Sequence, residues 1–205
     1  MSTFDSPHFP TPNLENCFRS DINFNKLYPA HIRKQARIHW TPLFITRLAV
    51  EFLVDKPGSR VLDIGSGTGK FCLTAACYAP EAHFYGVEYR PQLVQQAREV
   101  QNMLGITNVS FIQSDFTALN LQEFDHFYFY NSFFENLEET ERIDHTVQHS
   151  EELYESYTNS LHQGLRNMPS GTRLVTYHSN HDEVPSSYRL VDSLENGDLN
   201  FWLKR

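Results

Sequence analysis

The sequence predicts an α/β fold, a doubly wound and mostly parallel sheet that finishes in an antiparallel hairpin. Three features carry that expectation. From residue 60 onward, short strand-like runs alternate with helical stretches, the signature of parallel βαβ units. A glycine-rich turn, Gly65-Ser66-Gly67-Thr68-Gly69, directly follows the first strand. Near the end, an Asn196-Gly197 pair separates two strand-like runs, the strongest short hairpin signal.

Residues 1–25 are proline-rich, lack periodicity and read as an irregular arm. Pro29 to His39 is helix-compatible but strongly polar. Trp40-Thr41-Pro42 breaks that pattern, and Pro42 suits the first turn of a new helix, where its missing N–H is harmless. Leu43, Phe44, Leu48, Ala49, Phe52 and Leu53 follow at helical spacing until Lys56-Pro57-Gly58. Strands are expected at 60–64, 82–88, 109–113, 125–131 and 173–178. The fourth, Asp-His-Phe-Tyr-Phe-Tyr-Asn, suits a strand buried on both faces. Helices are expected at 70–78, at 91–104 with Gly105 as the stop, and at 151–166. Ser150 caps the last of these, and Glu151 and Glu152 favour its positive dipole end. Residues 188–194 and 199–203 form the hairpin. The chain thus divides into an N-terminal arm and helix (1–40) and one domain (41–205).

Composition narrows the function classes. The 205 residues suit a single α/β domain, and 14% aromatic content argues for a packed core rather than disorder. Seventeen Lys and Arg face 25 Asp and Glu, a net charge of -8. A duplex-binding surface needs clustered positive charge to release counterions, so nucleic acid is an unlikely partner on this count. The three cysteines, Cys17, Cys72 and Cys77, make no disulfide framework, and a reducing cytoplasm fits them. The N-terminus lacks the basic start and apolar stretch of a signal peptide, and no run approaches a membrane span.

The stretch Val61-Leu62-Asp63-Ile64-Gly65-Ser66-Gly67-Thr68-Gly69-Lys70 is the most informative. Glycines after a strand let the backbone turn tightly and approach a ligand. A dinucleotide fingerprint, Gly-x-Gly-x-x-Gly, needs glycine where Lys70 stands, and no Walker-type phosphate loop is present. Glu88 ends the second strand 25 residues after Asp63, where a carboxylate accepts ribose hydroxyls in nucleotide sites of such sheets. Asp115, past the third strand, suits an exocyclic amine, and Phe116 a purine face. All of these fall at carboxyl ends of strands, where doubly wound sheets bind ligands. Together they predict a nucleoside-type cofactor site.

At these residues the chain resembles the class I, Rossmann-like S-adenosylmethionine-dependent methyltransferases. VLDIGSGTGK resembles their first motif, YGVEY the second and QSDF the third, over roughly residues 40–205. The resemblance implies a seven-stranded sheet whose last strand is antiparallel. It implies that Gly65, Gly67 and Gly69 surround the methionine part of S-adenosyl-L-methionine and that Asp63 anchors that part. It also implies that Glu88 holds the ribose and that Asp115 with Phe116 binds adenine. Ser66, Lys70 and Tyr89, beside these positions, complete the candidate cofactor site. Trp40-Thr41-Pro42 is similar to a Pro-containing turn in lysine methyltransferases that lines the cofactor's carboxylate end, which adds Thr41 and Pro42. Phe129-Tyr130-Asn131-Ser132-Phe133-Phe134-Glu135 resembles the fourth motif of lysine methyltransferases of the telomeric-silencing-disruptor type. It departs from the Asn-Pro-Pro-Phe/Tyr motif of amino-group enzymes, having no proline at 132 or 133.

The expected activity is therefore methyl transfer to an acceptor nitrogen, of protein lysine or a small amine, by a cytoplasmic monomer or homodimer. Asn131 ends the fourth strand beside the expected sulfonium and counts among both the cofactor-binding and the catalytic residues; its side-chain carbonyl, or a backbone carbonyl nearby, holds the acceptor nitrogen, while Phe133 and Phe134 wall the methyl channel. Tyr28, Trp40 or Tyr130 stacks against the cation, and Glu135 is a conceivable base. Alternatives are a cofactor-binding regulator without transferase activity, O-methylation of a small acid, and a nicotinamide-dependent oxidoreductase, which Lys70 argues against. The His178-Ser-Asn-His181-Asp182 loop reads as solvated histidines near the acceptor entrance rather than a metal site, and His145 and His149 as surface residues. Cys72 and Cys77 are expected to be buried apolar groups.

Overall fold

The structure is a computed structural model that describes residues 14–34, 36–131, 133, 150–179 and 183–205. Seven strands form one sheet: β1 (Arg60–Ile64), β2 (His83–Glu88), β3 (Val109–Gln113), β4 (His126–Tyr130), β5 (Arg173–Tyr177), β6 (Tyr188–Leu194) and β7 (Leu199–Lys204). Their order is β3-β2-β1-β4-β5-β7-β6. The first five are mutually parallel, and β7 runs antiparallel to both β5 and β6. The expected doubly wound sheet with its C-terminal hairpin is present. The predicted strand ends shift by a residue or so, as element ends do.

Eight helices accompany the sheet among the described residues: α1 (Leu14–Cys17), α2 (Asp21–Asn25), α3 (Ala30–Arg33), α4 (Ala36–His39), α5 (Leu43–Leu53), α6 (Lys70–Tyr78), α7 (Pro91–Leu104) and α8 (Glu151–Arg166). Both sheet faces are covered, so β4 is buried on both sides. Phe127 and Phe129 join the core beneath α8 with Leu161 and Leu165, while Tyr128, pointing the other way, joins the α5–α7 core. α8 starts as expected: the Ser150 hydroxyl accepts from the Leu153 N–H. α6 is buried nearly all round, from Lys70 to Ala76.

Two expectations need correction. Within the segment read as an irregular arm, residues 14–17 and 21–25 are helical, and Phe24 is wholly buried. Helices this short do not hold by themselves, so tertiary contacts sustain them. The buried face of α5 also differs. It comprises Leu43, Ile45, Thr46, Ala49, Val50 and Leu53, while Phe44 is exposed. Ile45, Ala49 and Leu53 repeat every four residues and form the stripe that packs inward.

Candidate functional site

The site follows from the strand order. The chain winds from β1 outward to β3, then returns to lay β4 on the other side of β1. Loops leaving β1 and β4 therefore diverge, and a crevice opens at their carboxyl ends. A solvent-open cleft lies there. Its walls include Trp40, Thr41, Asp63, Gly65, Ser66, Thr68, Lys70 and Tyr130.

The glycine turn adopts backbone angles that side chains resist. Gly65, Gly67 and Gly69 have φ of 77°, 52° and 79°. Gly69 carries a second demand: a Cβ there would collide with the Phe111 ring and sit 2.9 Å from Ala97 Cβ. Its glycine serves close packing of β3 and α7 against the turn. The turn is pinned to β2, since the Gly65 and Ser66 N–H groups donate to the Val87 carbonyl at 3.0 and 2.9 Å. Glu88 extends this link, accepting from the Gly67 N–H at 3.1 Å and the Arg90 N–H at 2.9 Å. Arg90 Nη1 lies 3.6 Å from Glu88 Oε1, with both side chains buried. The ribose candidate thus sits against the turn rather than away from it.

Asp63 is buried at the cleft, and the Cys72 thiol donates to its Oδ2 at 3.6 Å. Burial, with the nearby Glu88 charge, pushes its carboxyl up to about 8. The Cys72 thiol is itself raised by burial, then by Asp63. Cys72 is thus a buried donor, and Cys77, expected inside, is exposed near the end of α6. Ser66 Oγ and Thr68 Oγ1 are buried side-chain oxygens without a hydrogen-bond partner. Such orphans cost about 1–3 kcal/mol each, a demand that a polar ligand satisfies.

Lys70, 4% exposed, pairs with Asp21, and its ammonium lies 5.8 Å from the ring centres of Phe24 and Trp40. Burial lowers its affinity for a proton, and Asp21 restores part of it. The Asp21 carboxylate also accepts the Leu43 N–H at 3.1 Å, which caps α5. The Tyr28 hydroxyl donates to the Thr68 carbonyl at 3.0 Å, and Thr41 Oγ1 meets the Tyr128 hydroxyl at 2.9 Å. The N-terminal helices therefore close one side of the cleft. Sequence reasoning missed Asp21, Tyr128 and this closure, and no local signal marks them. Pro42, in extended conformation, leads into α5 below.

The remaining candidates are spread around this centre. Asp115 holds a short turn, accepting from the Thr117 N–H at 2.9 Å, and takes the Tyr157 hydroxyl at 2.8 Å. Phe116 and Phe133, both largely buried, stack at 5.0 Å between centroids and pack on Tyr157. Phe133 also packs on Phe129, so it sits in the aromatic core beside β4. Tyr89 is 57% exposed beside Glu88. Asn131 has φ of 37°, and its N–H donates to Ser179 Oγ at 3.2 Å, tying the β4 exit to the β5 exit. Phe134, Ser132, Glu135, His145, His149, His181 and Asp182 lie outside the described residues.

The fold has counterparts among known proteins. A family model described as a methyltransferase domain matches residues 55–198. The 23S rRNA (uracil(1939)-C(5))-methyltransferase of Shewanella sediminis is 42% identical over 74 residues, 36% of this chain and 16% of that protein. A tRNA (guanine-N(7)-)-methyltransferase of Synechococcus is 47% identical over 51 residues, 25% of this chain and 22% of that protein. The protein-L-isoaspartate O-methyltransferase of Fervidobacterium nodosum is 39% identical over 66 residues, 32% of this chain and 33% of that protein. The chain thus spans a third or less of the length of these relatives. The crystal structure of an RNA methyltransferase from Salinibacter ruber with S-adenosyl-L-homocysteine shares the fold. Its TM-score is 0.56 at 19% identity, covering 80% of this chain and 92% of that one. Among the described residues no helix is long and apolar enough to cross a membrane.

Proposed function

The chain belongs to the methyltransferase-domain family, and from that premise we propose that it binds S-adenosyl-L-methionine across the tops of β1 to β4 and moves its methyl group to an acceptor nitrogen. The observation that carries this reading is the cleft. It presents a buried carboxyl (Asp63), a buried ammonium (Lys70) and two orphaned hydroxyls (Ser66, Thr68) on a glycine turn. That donor set fits an amino-acid zwitterion: Asp63 takes the ammonium, while Lys70 and the hydroxyls with Thr41 face the carboxylate. Glu88, held beside the turn by two backbone amides, accepts the ribose hydroxyls, and Tyr89 and Asp115 flank the base.

S-adenosyl-L-methionine supplies a methyl on a sulfonium with a neutral leaving group. The protein aligns the acceptor, excludes water and receives a proton. Asn131, at the exit of β4 with an unusual positive φ, is suited to hold the acceptor nitrogen through its side-chain carbonyl. Tyr130 forms the cleft wall beside it.

The names of the similar proteins cover acceptor carbon, nitrogen and oxygen, so the acceptor atom does not transfer from them. Two of them act on RNA, a polyanion. A net charge of -8 disfavours that class here and favours a neutral or cationic acceptor. Protein lysine and small amines are the acceptors proposed. The test is transfer of labelled methyl onto fractionated cell lysate, with and without protease or nuclease. Label in a protease-sensitive or small-amine fraction supports the reading, and label lost only on nuclease treatment overturns it. Asn131→Ala is expected to abolish transfer while S-adenosyl-L-homocysteine still binds, and unchanged turnover removes Asn131 from the mechanism.

A further inference from the structure

At the exits of β4 and β5, beside the cofactor cleft, aromatic and titratable groups gather. Tyr130, which lines the cleft, packs on Tyr177 at 4.9 Å and on the His178 ring at 5.7 Å. Tyr177 and His178 lie 4.1 Å apart. The β6–β7 turn closes this group from the other side. His178 Nδ1 lies 3.4 Å from Asp198 Oδ1, and the His178 N–H donates to the Asp198 carbonyl at 2.8 Å. Glu195 shares that turn. Burial first, then the charges of Asp198 and Glu195, raises the Tyr177 hydroxyl. Among the described residues, the charged or titratable groups in contact with His178 are Asp198, Tyr177 and Tyr130, and Glu195 acts on Tyr177. Among the described residues, positive φ at non-glycine positions occurs in the hairpin turn, where Glu195 and Asn196 adopt it as such turns do, and at the two strand exits, where it holds Asn131 and His178. Held strain of this kind collects at functional sites.

We propose that His178, oriented by Asp198, is the base that deprotonates an alkylammonium acceptor seated against Tyr130 and Tyr177. This rests on the reading of the chain as an S-adenosyl-L-methionine-dependent N-methyltransferase, and it names the substrate group and the proton acceptor. The chemistry selects both. An ammonium is drawn to aromatic faces and to carboxylates. It cannot attack carbon until it loses a proton, because its lone pair is occupied. A histidine whose Nδ1 faces a carboxylate keeps Nε2 for that proton. The neutral amine then forms the N–C bond as the C–S bond breaks, its electron pair leaving on sulfur. The products are a methylammonium, a neutral thioether and one proton on His178, which passes to solvent.

The test uses the full chain with S-adenosyl-L-homocysteine bound and two probes, n-butylamine and a lysine-containing peptide. Either probe is expected to shift the His178 imidazole resonances in NMR spectra and to do so less in Tyr177→Leu. Response to the peptide identifies protein lysine as the source of the amine, and response to butylamine with none to the peptide identifies a free amine. With S-adenosyl-L-methionine, His178→Gln is expected to lower turnover at least tenfold and to remove a limb of the pH–rate profile. Asp198→Asn, which acts through His178, is expected to displace that limb. Undisturbed His178 resonances with both probes, or a His178→Gln pH profile equal to wild type, overturns the proposal. Retained S-adenosyl-L-homocysteine binding in that case confines the failure to the acceptor site, and its loss removes the cofactor reading as well.

Discussion

Replacing Asp63 with asparagine tests the electrostatics of the cleft floor in the ligand-free protein. Asp63 is buried, and that burial pushes its carboxyl from an ordinary 3.8 up to about 8. The folded state therefore keeps a proton that the unfolded state releases above about pH 4. A pKa raised on folding leaves its contribution intact below the unfolded value and erodes stability as pH rises toward the folded one. The difference of about four units corresponds to about 5 kcal/mol lost between pH 4 and pH 8, near 1.4 kcal/mol per unit. Asparagine matches the shape and does not ionise, so the variant is spared that loss. Urea denaturation at pH 4, 5, 6, 7 and 8 is the assay. The stability of Asp63→Asn relative to wild type is expected to climb steadily with pH. A difference that stays flat from pH 4 to pH 8 refutes the reasoning. The same group ties stability to ligand binding: an ammonium placed beside Asp63 draws it into the ionised form, with net proton release at pH 7. Calorimetry of S-adenosyl-L-homocysteine binding in buffers of different ionisation enthalpy measures that release.

Three further outcomes are expected. Gly69→Ala places a methyl against Phe111 and Ala97 at a φ of 79°, and thermal unfolding should show a loss of about 3 kcal/mol or more. Asp21→Ala leaves the Lys70 ammonium buried without its carboxylate and removes the α5 cap, so chemical denaturation should report a loss of about 3 kcal/mol. Adding Lys70→Met should recover much of it, and no recovery would show that the ion pair is not the cause. His126 supplies an acid-side signature. Its Nδ1 accepts the Arg173 N–H at 3.1 Å and its Nε2 faces Asp55 at 3.0 Å, and burial lowers its pKa despite that carboxylate. The folded state thus resists the second proton, and stability present above the ordinary 6.5 is lost as pH falls. His126→Asn should flatten the pH dependence of the melting temperature just below pH 6.5.

How much of this the sequence carried depends on how local each signal is. The βαβ order, the Gly105 stop, the Ser150 cap and the Asn196-Gly197 turn are written in neighbouring residues, and each appears where expected. The glycine turn was equally legible, since its φ values need residues without a Cβ. The N-terminal helices were not. Their hold on the domain runs through Asp21 to Lys70, 49 residues away, and Tyr28 to Thr68, 40 away. Thr41 and Tyr128 meet across 87 residues. Contacts at such separation leave no periodicity. Phe116 and Phe133 show a related gap: the sequence marks aromatic residues near the site but not whether they face a ligand or, as here, each other and Tyr157.

The central claim is that the crevice between β1 and β4 holds S-adenosyl-L-methionine. Titration calorimetry of the full chain with S-adenosyl-L-homocysteine, beside a matched titration with NAD, addresses it directly. Saturable one-to-one binding of the first is expected, with no heat beyond dilution for the second. A folded chain that gives no binding heat with S-adenosyl-L-homocysteine, or that binds NAD instead, contradicts it.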